Sequence, residues 1–283
     1  MLNETDGNQV AYPAANWRLV NSGYGDGPGN MAVDEAILEA VAALESPATI
    51  RFYGWEPPCV SLGYRQSVSV VDSQRLAALG YDLVRRPTGG RAILHVDELT
   101  YSVIAPISEP RVKGSILESY RRLSEALVGG LQLLGLITSE APKDPSLVGP
   151  QGPACFDAPS NYEITHEGRK LVGSAQVRKR NVVLQHGTLP LVGDVGRLVD
   201  ALRFEGEDER KQMRADLRNR ATTLAAALGR EVKFEEAAAA MAHGFAQALN
   251  LSLTNGRLSP RELDRAGQLR AEKYAAESWA QRL

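Results

Sequence analysis

Arg85-Arg86-Pro87-Thr88-Gly89-Gly90-Arg91-Ala92-Ile93-Leu94-His95 is the stretch from which the rest of the chain can be read. An apolar pair, Leu83-Val84, leads into it, and Ala92-Ile93-Leu94 leads out. Between them the proline fixes one φ, while the two glycines permit positive φ and leave the backbone without a side chain over it. The pattern predicts strand, tight turn, strand: a hairpin with bare N–H groups at its tip and three arginines around it. Such a turn either lies flat against a ligand and donates hydrogen bonds to it, or is an ordinary surface hairpin with solvated arginines.

Around this stretch the chain reads as one continuous mixture of helices and strands, with no internal repeat and no low-complexity linker. Trp17–Val20, Thr49–Tyr53, Val60–Tyr64 and Leu99–Ala105 are expected strands, and residues 23–30, with four glycines and a proline, an expected loop. A helix should follow, with Val33, Ile37, Val41 and Leu44 on one stripe and Asp34-Glu35 as an acidic first turn. Asp72–Leu79 reads as a short helix and Ser115–Leu134 as a long one, with Leu117, Tyr120, Leu127 and Leu131 near one face. Three strands, Tyr162–Thr165, Leu171–Val177 and Val182–Leu191, form a meander that turns at Glu167-Gly168 and Arg180-Asn181. The remainder is mostly helical, around residues 196–202, 222–228 and 235–249, with a short strand at 251–253. A last helix is opened by Ser259-Pro260-Arg261-Glu262, a capping box with proline at its first position. The fold class expected is α/β (α+β), a mixed and largely antiparallel sheet flanked by helices. One catalytic domain would occupy residues 16–283, with a helical C-terminal part from about residue 194 and a loose tail over residues 1–15.

Bulk properties exclude several classes. With 283 residues, 43% hydrophobic and 23% charged, the chain buries an ordinary core, and a net charge of −2 gives no bulk attraction to nucleic acid or an anionic membrane. The polar, acidic N-terminus has neither a basic nor an apolar signal region, and no apolar run is long enough to span a membrane. Two cysteines are too few for a disulfide scaffold, so a reducing, cytoplasmic setting is expected. Cysteine and histidine spacing gives no zinc pattern, and no nucleotide loop is present.

Cys155 lies in a proline-rich loop over residues 142–159, where its thiol is either a nucleophile or a buried small hydrophobe; Cys59 opens an apolar strand and belongs to the core. Lys170 begins a strand whose middle, Gly173-Ser174-Ala175, is small enough for another group to approach the backbone. It is either a solvated charge or a cation that favours a thiolate. His95 and His186 sit in strand-like runs and are either structural or site residues. Basic clusters at Arg85-Arg86 with Arg91, Arg121-Arg122, Arg169-Lys170 and Arg178-Lys179-Arg180 are solvated surface or, together, a face for an acidic carrier protein.

Several of these pieces occur in one recognisable order. Asn30-Met31-x-x-Asp34-Glu35-Ala36, Gly63-Tyr64-Arg65-Gln66, the 85–95 stretch, Gly168-Arg169-Lys170-Leu171-Val172-Gly173-Ser174-Ala175-Gln176, Gln185-His186-Gly187-Thr188 and Arg270-Ala271-Glu272-Lys273-Tyr274 with Trp279 resemble the lipoate–protein ligase and octanoyltransferase family over roughly residues 17–280. The resemblance implies a biotin/lipoate ligase-like fold. Arg91, where ligases of the family carry a third glycine, and Cys155 in Cys-Phe-x-Ala-Pro-Ser are similar to the cysteine-dependent octanoyltransferase branch, which uses no nucleotide. It implies Cys155 as the acyl-thioester carrier and Lys170 as the catalytic lysine. Arg86, Thr88, Gly89, Gly90, Arg91, His95, Gly173, Ser174, Ala175 and His186 would line the substrate site. By the same resemblance the donor is octanoyl-acyl carrier protein, the acceptor the glycine cleavage H protein or another lipoyl domain, and the enzyme a monomer without cofactor or metal. The competing readings are an ATP-dependent lipoate–protein ligase and a non-catalytic acyl-carrier-binding protein.

Overall fold

The computed structural model describes residues 12–140 and 164–282. Eleven strands and nine α-helices are formed among them. The strands are β1 (Ala15–Gly25), β2 (Thr49–Trp55), β3 (Cys59–Leu62), β4 (Asp82–Arg85), β5 (Ile93–His95), β6 (Glu98–Pro106), β7 (Ser139–Glu140), β8 (Ile164–His166), β9 (Arg169–Lys179), β10 (Val182–Pro190) and β11 (Leu251–Asn255). The helices are α1 (Gly27–Ala42), α2 (Ser73–Ala78), α3 (Ile116–Leu133), α4 (Leu198–Ala201), α5 (Glu207–Arg220), α6 (Leu224–Leu228), α7 (Phe234–Ala248), α8 (Pro260–Leu269) and α9 (Glu277–Ala280).

The main sheet has the order β11-β1-β2-β6-β10-β9-β8-β7. Only β11–β1 and β1–β2 run parallel, so the sheet is mixed and largely antiparallel, as expected. Helices α3 and α7 close one face over Phe52, Tyr101, Leu127, Leu131, Met241 and Phe245. On the other face α1 buries Ile37, Leu38 and Val41 against Ile104, Val182 and Leu184. A second sheet, β4-β3-β5, encloses its own small core with α2, α4 and α5.

Local chemistry explains most elements. The meander turns at residues that adopt positive φ: Glu167 and Gly168, then Arg180 and Asn181. Capping boxes open α3 at Ser115/Glu118 and α8 at Ser259/Glu262. Tyr120, Leu127 and Leu131 face inward on α3, but Leu117 is 46% exposed and Leu123 takes the buried place.

Other expectations fail, each for a physical reason. The 85–95 stretch is no hairpin: β4 and β5 do not pair with each other, because β3 lies between them, parallel to β4 and antiparallel to β5. All four residues of β3 are buried, and only a strand on each edge satisfies its backbone. Residues 23–30 are not all loop. Helix α1 begins at Gly27 with Asp26 as N-cap, and Pro28 sits in the first turn, where its missing N–H costs nothing. Asp34 and Glu35 therefore fall well inside α1, buried, rather than in an acidic first turn. Finally, α5 was not foreseen, since Glu207–Arg220 has charge on every side and buries only Arg210 and Leu217.

Candidate active site

The loop at residues 86–92, between β4 and β5, crosses the end of β3. Its two leading arginines hold it there. Arg85, fully buried, donates to the carbonyls of Gly63 (2.9 Å), Gln66 (2.5 Å) and Ala280 (2.7 Å). Arg86 donates to Ser61 O and Oγ (both 3.0 Å), Gly89 O (2.8 Å) and Arg91 O (2.8 Å). These charges fold the loop rather than reach for a substrate. Gly63 lies so close beneath it that a Cβ there would stand 1.8 Å from the Gly90 carbonyl oxygen. Gly90 itself has φ of +95°, which favours glycine.

Under this loop, where the two sheets meet, is a pocket. Its walls include Met31, Trp55 and Ile93, and the expected residues Arg86, Gly90, His95, Gly173, Ser174, Ala175 and His186 all line it. Register brings two of the sequence motifs together: His186 faces Ala175, Gly187 faces Ser174 and Thr188 faces Gly173 across the β10–β9 pair. Glycine at 187 leaves the floor bare, since a Cβ would meet Ser174 Oγ at 2.5 Å and the Gly173 carbonyl at 2.7 Å. Thr88 reaches the pocket wall through its hydroxyl, 2.6 Å from His186 Nε2. Gly89 and Arg91 lie instead on the outer side of the loop, in an open groove that shares Gly90 with the pocket.

Both histidines are tied into polar chains. His95 stacks on Trp55 with ring centroids 4.0 Å apart. Its Nδ1 lies 2.8 Å from Glu98 and its Nε2 2.7 Å from Ser61 Oγ. Arg86 Nη1 donates to the same Ser61 Oγ, so His95 bridges the Arg86–Ser61 pair to Glu98. Glu98 also accepts from Thr100 and Thr188.

His186 Nδ1 lies 3.5 Å from Asp34 Oδ2, long for a hydrogen bond, and has no closer partner among the described residues. Burial pushes the His186 ring below its ordinary value against the pull of Asp34, so it is neutral at neutral pH. Burial alone would raise the Asp34 carboxyl, but the Arg51 guanidinium beside it holds it below the usual carboxylate range. Arg51 Nη1 donates to Asp34 at 2.8 Å, with Tyr53 at 2.9 Å and Ser102 at 3.0 Å completing its shell.

Sequence reading missed this network, although Asp34 in an otherwise apolar helix stripe was the available signal. It also missed Glu35, whose carboxylate accepts from Lys179, Lys273 and Tyr274 and so binds α1 to the end of β9 and to the Arg270–Tyr274 turn. Burial would raise the Glu35 carboxyl, yet these three donors bring it down to about 2.

Lys170 is 6% exposed at the start of β9, and its backbone bridges Ala221. It is therefore not a solvated surface charge. Cys59 is fully buried in β3 as expected, and burial raises its thiol well above the ordinary value. Cys155 and its loop lie outside the described residues. Among the described residues no group of histidine, cysteine and carboxylate side chains could hold a metal ion, and no helix is long and apolar enough to cross a membrane.

The charged groups around the pocket are mutually engaged, its walls are largely apolar and its floor is bare backbone. An apolar chain ending in a carbonyl fits such a site.

A sequence model described as the lipoyl protein ligase A/B catalytic domain matches residues 26–246. The chain belongs to that family. Two relatives named octanoyltransferase LipM, from Kyrpidia tusciae and Symbiobacterium thermophilum, are each 46% identical to it. The first alignment covers 93% of this chain and 97% of the relative, the second 94% and 98%. The protein of that name from Bacillus subtilis is 39% identical over 93% of this chain and 97% of its own. Among solved structures, a bipartite lipoate protein ligase from Thermoplasma acidophilum superposes with a TM-score of 0.79 at 23% identity, over 94% of this chain and 96% of that one. A lipoate-protein ligase A crystallised with ATP gives 0.76 at 23% identity, over 95% and 99%. The lipoyl protein ligase A/B family thus accounts for the fold, and the resemblance read from the motifs holds.

Proposed function

We propose that this chain is an octanoyltransferase of lipoate assembly that carries the acyl group on Cys155. The observation that carries the reading is the near-full-length similarity, at up to 46% identity, to relatives named octanoyltransferase. The apolar pocket with a bare-backbone floor supports it.

In the first step the Cys155 thiolate attacks the thioester carbonyl of octanoyl-acyl carrier protein. The tetrahedral intermediate collapses, the carrier sulfur leaves and takes up a proton, and octanoyl is now a thioester of Cys155. One thioester replaces another, so no nucleotide is consumed. In the second step a neutral lysine amine of a lipoyl domain, the glycine cleavage H protein, attacks that carbonyl. The C–S bond breaks, the amine loses its proton to a base, and an amide and a free Cys155 remain. Lys170, drawn below the surface, supplies the positive charge that favours the thiolate, more effectively in a low dielectric than in water. Backbone N–H groups at Gly90 and Gly173–Ala175, which line the pocket, are the donors offered to the oxyanion. Residues 16–283 act as one catalytic unit, a cytoplasmic monomer without a cofactor.

Intact-mass spectrometry after mixing the protein with octanoyl-acyl carrier protein, without ATP, tests this. A hydroxylamine-labile gain of about 126 Da, absent from Cys155→Ala, is expected for acylation at a nucleophilic cysteine. Modification of the acceptor only when ATP and free octanoate are supplied would make the chain a ligase instead.

A further inference from the structure

On the outer side of the 86–92 loop the open groove is bordered by Arg65, Arg91 and Arg203. Most arginines of the chain are committed: to carboxylates, as at Asp34, Glu262 and Asp194, or to backbone carbonyls, as for Arg85, Arg86 and Arg111. None of these three has a side-chain hydrogen bond, ion pair or ring contact among the described residues. Arg65 and Arg203 are exposed. Arg91 is half-buried, and its Nη1 is shielded from solvent with no hydrogen-bond partner. One carboxylate, Glu209, also borders the groove, and it already accepts the backbone N–H of Glu205 at 3.0 Å.

Position gives this charge a meaning. Gly90 belongs both to the groove and to the acyl pocket, so the two adjoin at the loop. Among the described residues the pocket itself offers no uncommitted charge. A substrate that fits both has an apolar end, a neutral connecting arm and an anion at the far end.

We propose that the groove binds the phosphate of the acyl donor's phosphopantetheine arm, through Arg65, Arg91 and Arg203, while the octanoyl chain occupies the pocket. The inference rests on the octanoyl-transfer reading and adds to it the place where the donor is held. Arginine suits this task because its planar donor fork matches phosphate oxygens. No covalent step is involved at the groove; it positions the thioester over the loop.

The test compares octanoyl-4′-phosphopantetheine with octanoyl-pantetheine, which differ only in the phosphate, on the full chain and on Arg65→Ala, Arg203→Ala and the double variant. The wild type should prefer the phosphorylated donor in kcat/KM. Each exposed arginine should contribute about fivefold to that preference, and the double variant about twentyfold. Added salt should erode the same ratio. Calorimetry with phosphopantetheine and pantetheine, without turnover, reads the groove separately: tighter binding of the phosphorylated compound that weakens in the double variant supports it. Equal use or equal binding of the two compounds, or a preference the variants leave intact, overturns the inference. Displacement of phosphopantetheine by Mg·ATP at lower concentration than phosphopantetheine itself requires would assign the groove to a nucleotide and overturn it too. If neither donor acylates Cys155, the transferase reading falls, while the calorimetry still decides the groove.

Discussion

Replacing Gly63 by alanine tests whether the position of the 86–92 loop governs transfer. The new Cβ would stand 1.8 Å from the Gly90 carbonyl oxygen. An ordinary carbon–oxygen contact is no closer than about 3.3 Å, so the loop must retreat by roughly 1.5 Å. It cannot move alone, because the Tyr64 N–H donates to Thr88 O at 2.8 Å and Thr88 holds His186. A displacement of about 1 Å at a reacting centre costs on the order of 100-fold in rate, and overpacking of this kind costs about 1–3 kcal/mol in stability. We therefore expect kcat/KM for octanoyl transfer to fall by about 100-fold in Gly63→Ala, with a folded protein of reduced Tm. Gly89→Ala is the matched control. Its Cβ would meet nothing within 4 Å and its φ is ordinary, so stability should stay within about 0.5 kcal/mol of wild type. Transfer rates measured by intact mass, with thermal denaturation of both variants, decide the matter. A Gly63→Ala enzyme within threefold of wild type in kcat/KM at unchanged Tm would refute the reasoning.

Three further outcomes are expected. Glu35→Gln should cost about 3 kcal/mol at neutral pH, the equivalent of a carboxyl lowered from 4.5 to about 2. Because the folded value is the depressed one, this difference should be full above pH 4.5 and shrink as pH falls towards 2, as read by denaturant titrations. Asp34→Ala, which strands the buried Arg51 guanidinium, should destabilise the protein by about 3–5 kcal/mol, whereas a loss below 1 kcal/mol would mean that Arg51 finds another acceptor. In the native protein iodoacetamide should leave Cys59 unmodified up to pH 9, since burial raises its thiol, and peptide mapping showing Cys59 alkylated before unfolding would contradict its place in β3.

Sequence alone determined what local chemistry dictates. The meander was legible because Glu167-Gly168 and Arg180-Asn181 are turn residues flanked by apolar runs, and α8 because Ser259 and Glu262 cap each other. The family, and with it the pocket-lining residues Arg86, Gly90, His95, Gly173–Ala175 and His186, was legible because the motifs keep fixed order and spacing. Tertiary structure decided everything that depends on partners distant in the chain. Strand pairing of the 85–95 stretch depended on β3, some twenty residues upstream, and no property of the turn could announce an intervening strand. Asp34 reads as a helix-dipole charge until Arg51, Tyr53, Ser102 and His186 arrive from three strands and make it a buried acceptor. Arg85, Arg86 and Arg91 look alike in sequence. Only the fold gives two of them carbonyls to hold and leaves the third facing an open groove, because a guanidinium's role is set by the acceptors within reach, and those come from elsewhere in the chain.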